Sequence, residues 1–231
     1  MKYQGSKNRH AKELLPIILR DRKEGQYVYD LFCGGLNIID KINGNRIAND
    51  IHPYLIPMFK ELHKGWIPPL NITNEEWRDI RDNKKNYPKH LVGYVGFNSY
   101  GARFFEGYRR DKVGKRDYWK EHYNNIMKQL PNIQNITFIN KSYDEVELYP
   151  NSIIYCDIPY KSTKKYSTGD FDYDKFYQWC IEKHNEGHQV FISEYYMPED
   201  KFECVWKKEV NSSLTKDTGS KKNVEKLFIV K

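Results

Sequence analysis

Residues 26–35 read Gln26-Tyr-Val-Tyr-Asp-Leu-Phe-Cys-Gly-Gly35, a run of aromatic and aliphatic residues that ends in two glycines. This composition predicts a buried strand over 26–32 that stops at a tight turn. The apolar run 36–42 is of the kind that opens a helix, 46–50 predicts a second short strand, and 52–63 a second helix. Two strand-turn-helix units in succession predict a parallel α/β sheet.

The alternation of strands and helices stops between residues 64 and 131. Thr73-Asn-Glu-Glu76 is a capping box that predicts the start of a polar helix. Residues 117–130 have the spacing of an amphipathic helix, and residues 93–110 are rich in glycine, aromatic side chains and arginine. We therefore interpret 64–131 as a mainly helical insertion. Further helices are predicted over 10–22 and 172–186, and further strands over 135–140, 152–157, 188–193, 202–207 and 225–230.

Composition limits the class of protein. Over 231 residues, 38 Lys and Arg outnumber 31 Asp and Glu, and the net charge of +7 is compatible with a polyanionic partner. Mean hydropathy is −0.85, and no window holds the roughly 18 apolar residues of a bilayer span, so we expect no membrane segment. Without an apolar leader, the expected location is the cytoplasm. The four cysteines form no Cys-x-x-Cys pair, which argues against a disulfide framework or a zinc site.

Acidic residues stand at the ends of three predicted strands. Asp30 precedes the two glycines, Asp50 closes the next strand, and Asp157 opens the segment Asp157-Ile-Pro-Tyr160. The carboxyl edge of a parallel sheet binds ligands, and an acid at this edge can accept hydrogen bonds from a ribose diol. The chain has neither Gly-x-Gly-x-x-Gly nor a P-loop. The pattern indicates a nucleoside-bearing cofactor without a pyrophosphate cradle, although each motif alone also fits a plain turn.

Together with Tyr3-Gln-Gly-Ser-Lys7, these motifs resemble those of Dam-type DNA adenine-N6 methyltransferases, in the class whose target-recognition region precedes the catalytic tetrapeptide. Asp157-Ile-Pro-Tyr160 is similar to the family's Asp-Pro-Pro-Tyr, with Ile158 as the one departure. The resemblance implies a Rossmann-like, S-adenosylmethionine-dependent methyltransferase α/β fold. It divides the chain into a catalytic domain, residues 1–63 and 132–231, and a target-recognition insertion, residues 64–131.

The resemblance also implies roles for individual residues, with S-adenosylmethionine as cofactor and no metal. Asp157 and the carbonyl of Ile158 would accept hydrogen bonds from the target amine. Pro159 would fix the turn, and Tyr160 would stack on an extruded base. Residues 140–144 resemble the loop that holds the cofactor adenine. The candidate cofactor-binding residues are Tyr3, Gly5, Lys7, Asp30, Phe32, Gly34, Gly35, Asp50, Ser142, Tyr143 and Asp157.

Double-stranded DNA is the partner that the resemblance implies. A base inside a duplex cannot reach a buried pocket, so the target base must be flipped out. Between residues 103 and 120 the insertion carries seven basic and three acidic side chains, which suits phosphate or base contacts but also fits a solvated face. The candidate DNA-binding residues are Arg103, Arg109, Arg110, Lys112, Lys115, Arg116 and Lys164.

Three other functions stay open. Protein-glutamine methyltransferases use a related Asn-Pro-Pro-Tyr, and cytosine-N4 methyltransferases usually begin the tetrapeptide with Ser. A non-catalytic DNA-binding relative is the third alternative. The leading Asp157, the N-terminal place of motif 3–7 and the basic insertion favour adenine in DNA.

Overall fold

The computed structural model of the chain describes residues 1–111, 113–160, 171–211 and 222–231. The strands in that part are β1 (Val28–Asp30), β2 (Arg46–Asn49), β3 (Ile136–Ile139), β4 (Ile153–Asp157), β5 (Gln189–Glu194), β6 (Phe202–Asn211) and β7 (Lys222–Val230). They form a seven-stranded sheet of order β3-β2-β1-β4-β5-β7-β6. The first five strands of this order are mutually parallel, whereas β7 is antiparallel to both β5 and β6.

The predicted α/β fold is confirmed, and each of the seven predicted strands has its counterpart. Alternate side chains of the central strands enter two apolar layers. Val28 and Ile153 lie in one layer, while Tyr29 and Ile154 lie in the other. Burial on both faces explains why these strands read as continuous apolar runs instead of alternating with polar residues.

Six α-helices lie in the described residues. They are α1 (Ala11–Ile18), α2 (Leu55–His63), α3 (Asn74–Asp82), α4 (Lys89–Phe97), α5 (Tyr118–Gln129) and α6 (Tyr173–Asn185). The capping box at the start of α3 is present as predicted, because the Thr73 hydroxyl accepts from the Glu76 amide and the Glu76 carboxylate accepts from the Thr73 amide. Helix α4 is the one helix that the sequence pattern does not predict.

The predicted helix over the apolar run 36–42 is wrong. Leu36 has a φ of 61°, a left-handed conformation from which a right-handed helix cannot begin. Only a short 3-10 turn, Ile39–Lys41, forms in this run. Its apolar side chains are nevertheless core residues, with Leu36 and Ile39 fully buried. The apolar residues of 36–42 are therefore explained by burial of a loop and not by the periodicity of a helix.

The insertion shares its core with the sheet. Helices α3, α4 and α5 all fall between residues 64 and 131. Val92 of α4 and Trp119 of α5 are buried in the same apolar layer as Val28 of β1. Helix α4 packs closely on α2, because a Cβ at Gly93 would lie 2.2 Å from the Tyr54 carbonyl oxygen. The insertion is therefore anchored close to the sheet, and its division from the catalytic domain stays a prediction.

Candidate active site

A cavity of about 390 Å³ lies at the carboxyl edge of the sheet. It is placed where the strand order reverses, since the chain moves outward from β1 on one side and from β4 on the other. An aspartate at or just beyond the end of each of β1, β2 and β4 faces it. The predicted site residues that line the cavity are Tyr3, Gly5, Lys7, Asp30, Phe32, Gly34, Gly35, Asp50, Arg103, Asp157, Ile158, Pro159 and Tyr160.

Asp30 is the most buried of the three aspartates. It is 2% exposed, and its Oδ1 has no hydrogen-bond partner in the described part of the chain. Burial, reinforced by the charges of Asp157 and Asp50, raises the pKa of the Asp30 carboxyl well above its ordinary value. A buried carboxylate oxygen without a donor is costly in free energy. Asp30 therefore offers a strong acceptor to a ligand that brings an N–H group or a positive charge.

Asp50 ties the glycine loop to the end of β2. Its Oδ2 accepts from the Gly34 amide at 3.0 Å, and its Oδ1 accepts from the His52 amide at 2.8 Å. Burial raises the pKa of the Asp50 carboxyl, although these two hydrogen bonds oppose the shift. Each carboxylate oxygen keeps a second lone pair. Asp50 can therefore accept from a ligand while its loop stays in place.

Gly34 and Gly35 leave room for the N-terminal segment 3–7 to pack against the glycine loop. Gly34 has a φ of +44°, and a Cβ there would lie 2.6 Å from the ring of Tyr3. At Gly35 a Cβ would lie 2.8 Å from the Tyr3 Cβ. A larger residue at either position would displace Tyr3. The sequence predicts that the glycine pair permits a close approach, and in the structure the group that approaches is Tyr3 of segment 3–7.

The Asp157–Tyr160 segment turns away from the end of β4. The Asp157 side chain is 22% exposed, while Ile158 and Tyr160 are buried. The Pro159 carbonyl accepts from the Tyr173 hydroxyl at 2.8 Å, which holds the turn against the start of α6. The Tyr160 ring makes an edge contact with Tyr195, with 4.4 Å between centroids.

Lys7 is joined to the aspartate of this segment. Its Nζ donates to Asp157 Oδ1 at 2.8 Å, lies 3.7 Å from Glu225 Oε2 and stands 4.6 Å from the centre of the Tyr160 ring. Lys7 is only 5% exposed. Burial by itself lowers the pKa of the Lys7 ammonium, but Asp157 and Glu225 outweigh it and the pKa is raised. Conversely, burial raises the pKa of Asp157 and Lys7 opposes that rise.

A family model for D12 class N6 adenine-specific DNA methyltransferases matches residues 3–94. The resemblance to the DNA adenine-N6 methyltransferases is confirmed. The match takes in segment 3–7, the glycine loop and Asp50, and it ends in α4, ahead of the Asp157–Tyr160 segment. The seven-stranded α/β sheet agrees with a methyltransferase fold.

The cavity is also lined by residues that the sequence motifs do not mark. Phe97 and Phe104 of the insertion line it, together with His52. The Phe104 ring stacks on Tyr54 at 5.4 Å, and the Gln4 amide donates to the Ala102 carbonyl at 3.3 Å. The available signal was the aromatic and glycine content of residues 93–110, which sequence reasoning interprets only as part of the DNA-recognition insertion. Glu225 and Tyr195 also line the cavity, but no sequence motif includes them.

Two candidate cofactor residues, Ser142 and Tyr143, lie outside the lining of the cavity. Ser142 caps the short 3-10 turn Tyr143–Glu145, where the Tyr143 ring stacks on Phe32 with 5.5 Å between centroids. Phe32 itself lines the cavity. Tyr143 therefore packs against a residue of the cavity lining without lining the cavity itself. A direct contact of Ser142 or Tyr143 with the cofactor stays a prediction.

Four of the remaining basic candidates, Arg109, Arg110, Lys115 and Arg116, lie between residues 64 and 131 and outside the cavity lining. Arg109 stands 4.0 Å above the Tyr118 ring, and Arg116 pairs with Glu121 at 2.8 Å. Arg110 and Lys115 are exposed. Their contacts with DNA stay predictions. Lys112 and Lys164, with the neighbouring Lys161, Lys165 and Tyr166, fall outside the described residues.

No group of three or more His, Cys, Asp or Glu side chains in the described ranges is arranged to hold a metal ion. Likewise, none of the helices in these ranges has the length and apolar character needed to cross a membrane.

Replacing Asp30 with Asn is expected to stabilise the protein at neutral pH. The change removes a buried carboxyl that is costly to ionise and whose Oδ1 lacks a donor among the described residues, which is worth about 1–3 kcal/mol, or roughly 2–4 °C in Tm for each kcal/mol in a chain of this length. The control is Asp21→Asn, which alters an exposed acid. Thermal unfolding followed by circular dichroism measures both variants.

The pH dependence of this difference follows from the raised pKa of Asp30. A carboxyl with a raised folded-state pKa stabilises the fold below its ordinary pKa and loses that contribution as the pH rises through the raised value. The advantage of Asp30→Asn over the wild type should therefore shrink on acidification toward about pH 4. A variant less stable than the wild type at pH 8 would show that the Asp30 carboxylate has a donor.

Proposed function

We propose that this protein is a site-specific DNA adenine-N6 methyltransferase, which transfers a methyl group from S-adenosylmethionine to the exocyclic amine of an adenine flipped out of duplex DNA. The observation that carries the proposal is the convergence of Asp30, Asp50 and Asp157 on one cavity at the carboxyl edge of the sheet. The family match over residues 3–94 supports adenine in DNA as the substrate.

The residues of the cavity fit the cofactor. The buried Oδ1 of Asp30, unpartnered within the described ranges, suits the ammonium of a methionine moiety, which is the strongest kind of donor for a carboxylate. Asp50 suits the ribose hydroxyls, because it closes β2 next to the switch point of the sheet. The backbone of Phe32 to Gly35 lies between these two acids and suits the methionine portion. When bound, S-adenosylmethionine supplies a methyl group activated by its sulfonium.

Asp157 prepares the amine for attack. The lone pair of an exocyclic amine is delocalised into the base, and acceptors for its N–H groups favour the pyramidal form and the positive charge that develops on nitrogen. Asp157 Oδ and the Ile158 carbonyl serve as these acceptors. Ile in place of the family's Pro at 158 leaves the carbonyl unchanged. The Lys7 ammonium favours the charged form of Asp157, because it opposes the effect of burial on the pKa of that carboxyl.

The depth of the acceptors supports base flipping. Asp157 is only 22% exposed and Ile158 only 2%. An amine within a stacked duplex cannot come within hydrogen-bonding distance of groups so recessed. The Tyr160 ring, held at its edge by Tyr195, offers a face on which an extruded base can stack. The net charge of +7 supports a polyanionic duplex as the partner.

The product tests the proposal. Wild-type protein incubated with S-adenosylmethionine and unmethylated DNA should form N6-methyladenine, detected by mass spectrometry of the digested nucleosides. Asp157→Ala should lower turnover by at least ~10²-fold, the scale for removing a group that stabilises developing charge. Detection of N4-methylcytosine, or of methyl label on protein and not on DNA, would overturn the assignment.

Cofactor binding is tested with Asp30→Asn in calorimetry. A charge-assisted hydrogen bond is worth about 1.5–3 kcal/mol, so the variant should bind S-adenosylmethionine roughly 10- to 100-fold more weakly. The same substitution is expected to make the protein more stable, and loss of affinity therefore cannot come from unfolding. Affinity equal to that of the wild type would remove Asp30 from the cofactor site.

DNA binding is tested on the insertion. Charge-neutralising Arg109→Gln and Arg110→Gln together should reduce the slope of log affinity against log salt by about 0.9 for each phosphate that is no longer neutralised. Lys128→Gln, at an exposed position of α5, is the matched control and should leave the slope unchanged. If only one DNA sequence is weakened, the arginines read a base edge, and the effect should be roughly 1–3 kcal/mol. If slope and affinity are both unaltered, Arg109 and Arg110 do not contact DNA and belong to a solvated surface.

A further inference from the structure

Glu225 on β7 belongs to the same network as the Asp157–Tyr160 segment. Its Oε2 accepts from the Tyr160 hydroxyl at 2.8 Å and lies 3.7 Å from Lys7 Nζ. We propose that Glu225 is a positioning residue for methyl transfer, which holds Tyr160 and Lys7 in the places that the reaction needs. This inference rests on the proposed function and adds to it a residue that none of the recognised motifs contains.

The topology explains how a residue so late in the chain reaches the site. Strand β7 is antiparallel to β5, and Lys226 is paired with Glu194 at the carboxyl end of β5. The beginning of β7 therefore lies at the edge where the parallel strands end. Glu225 lines the cavity at this edge, although residues 225–230 read in the sequence only as a strand.

The environment of Glu225 is unusual for a strand carboxylate. Side chains two apart share one face of a strand, and Leu227 on the same face is fully buried. The Glu225 side chain is itself only 13% exposed. A carboxylate so far removed from water pays a desolvation cost that an apolar residue would avoid. The interactions of Glu225 with Tyr160 and Lys7, which both line the cavity, offset this cost.

Glu225 acts on the reaction through the position of the Lys7 ammonium. Lys7 lies between two carboxylates, with Asp157 at 2.8 Å and Glu225 at 3.7 Å. Without Glu225 the ammonium would be drawn wholly onto Asp157 and would compete with the substrate N–H for the carboxylate oxygens. By sharing the Lys7 ammonium, Glu225 leaves the Asp157 oxygens able to accept from the amine.

The second action of Glu225 is on the Tyr160 ring. The hydroxyl bond to Glu225 at one end and the edge contact with Tyr195 limit rotation of the ring. A base-stacking face must be fixed to within a fraction of an ångström to hold the amine against its acceptors. Glu225 thus positions both the Lys7 ammonium and the stacking face, and it acts on the reaction through these two residues.

The test compares three variants of the full-length protein. Glu225→Ala removes both actions, and Glu225→Gln keeps an oxygen that can accept from the Tyr160 hydroxyl but removes the charge. Glu203→Gln, which changes an exposed acid on the adjacent strand β6, is the matched control. Single-turnover methylation, cofactor affinity and thermal unfolding are measured for each.

The expected result is a selective loss of the chemical step. Glu225→Ala should lower the single-turnover rate by about 10- to 100-fold, the scale of a small misplacement of reacting groups, with the cofactor dissociation constant essentially unchanged. Glu225→Gln should recover part of that rate. In a Tyr160→Phe background the effect of Glu225→Ala should be smaller than in the wild type, because the two residues act together.

A spectroscopic readout makes the inference independent of activity. In protein labelled with ¹³Cζ-tyrosine, the Tyr160 resonance is assigned by its loss in Tyr160→Phe. Glu225→Gln should shift this resonance and Glu203→Gln should not. If Glu225→Ala does not fold, the Gln variant and this spectrum carry the test.

The outcomes separate this inference from the proposed function. A wild-type protein that makes no N6-methyladenine would overturn the proposed function, whatever the spectrum shows. An active wild type with Glu225 variants of wild-type rate, or an unmoved Tyr160 resonance, would overturn the role of Glu225. Loss of thermal stability with an unchanged rate for the folded fraction would assign Glu225 a structural role only and would likewise reject the inference.

Discussion

A parallel sheet brings the carboxyl ends of its strands to one edge, and in this protein three of those ends carry an aspartate that faces a common cavity. Burial and mutual repulsion both disfavour three ionised carboxylates in one place. Lys7 is the buried counter-charge, bound to Asp157 at 2.8 Å. The rest of the site depends on this balance, because the segment that carries Lys7 must lie against the glycine loop for its ammonium to reach β4.

Three distant parts of the chain are therefore held to one another by electrostatics as well as by packing. Tyr3 rests on Gly34 and places Lys7, while β4 brings Asp157 and β7 brings Glu225. The insertion closes another side through Phe104 and through the bond between the Gln4 amide and the Ala102 carbonyl. Because residues between 97 and 106 form part of the cavity lining, a contact made with those residues bears directly on the geometry of the cavity.

The parts predicted from sequence are those where one local signal dominates. Asp30 and Asp157 end strongly apolar strands, so the sequence alone predicts their place at the sheet edge. Helix α4 is not predicted, because Gly93 and Gly96 lower helical propensity, and both are required by close approaches to groups distant in sequence, the Tyr54 carbonyl and the Phe104 ring. The helix predicted over 36–42 is also wrong, because Leu36 adopts a left-handed conformation that a leucine in a sequence pattern does not signal. Glu225 gave no local signal because its partners are more than sixty residues away.

The charge balance of the cavity also bears on the kind of ligand that it binds. Asp30, Asp50, Asp157 and Glu225 line it, with Lys7 as their buried cation. A cationic ligand relieves repulsion among these acids as it binds, whereas a neutral ligand leaves the repulsion in place. Such a ligand at a hundred times its Kd adds about 2.7 kcal/mol to the stability of the fold. The Asp30 Oδ1, which lacks a donor within the described ranges, lowers the stability of the unliganded protein. A cationic ligand that donates to this oxygen offsets that loss, as is common where a residue is kept for function.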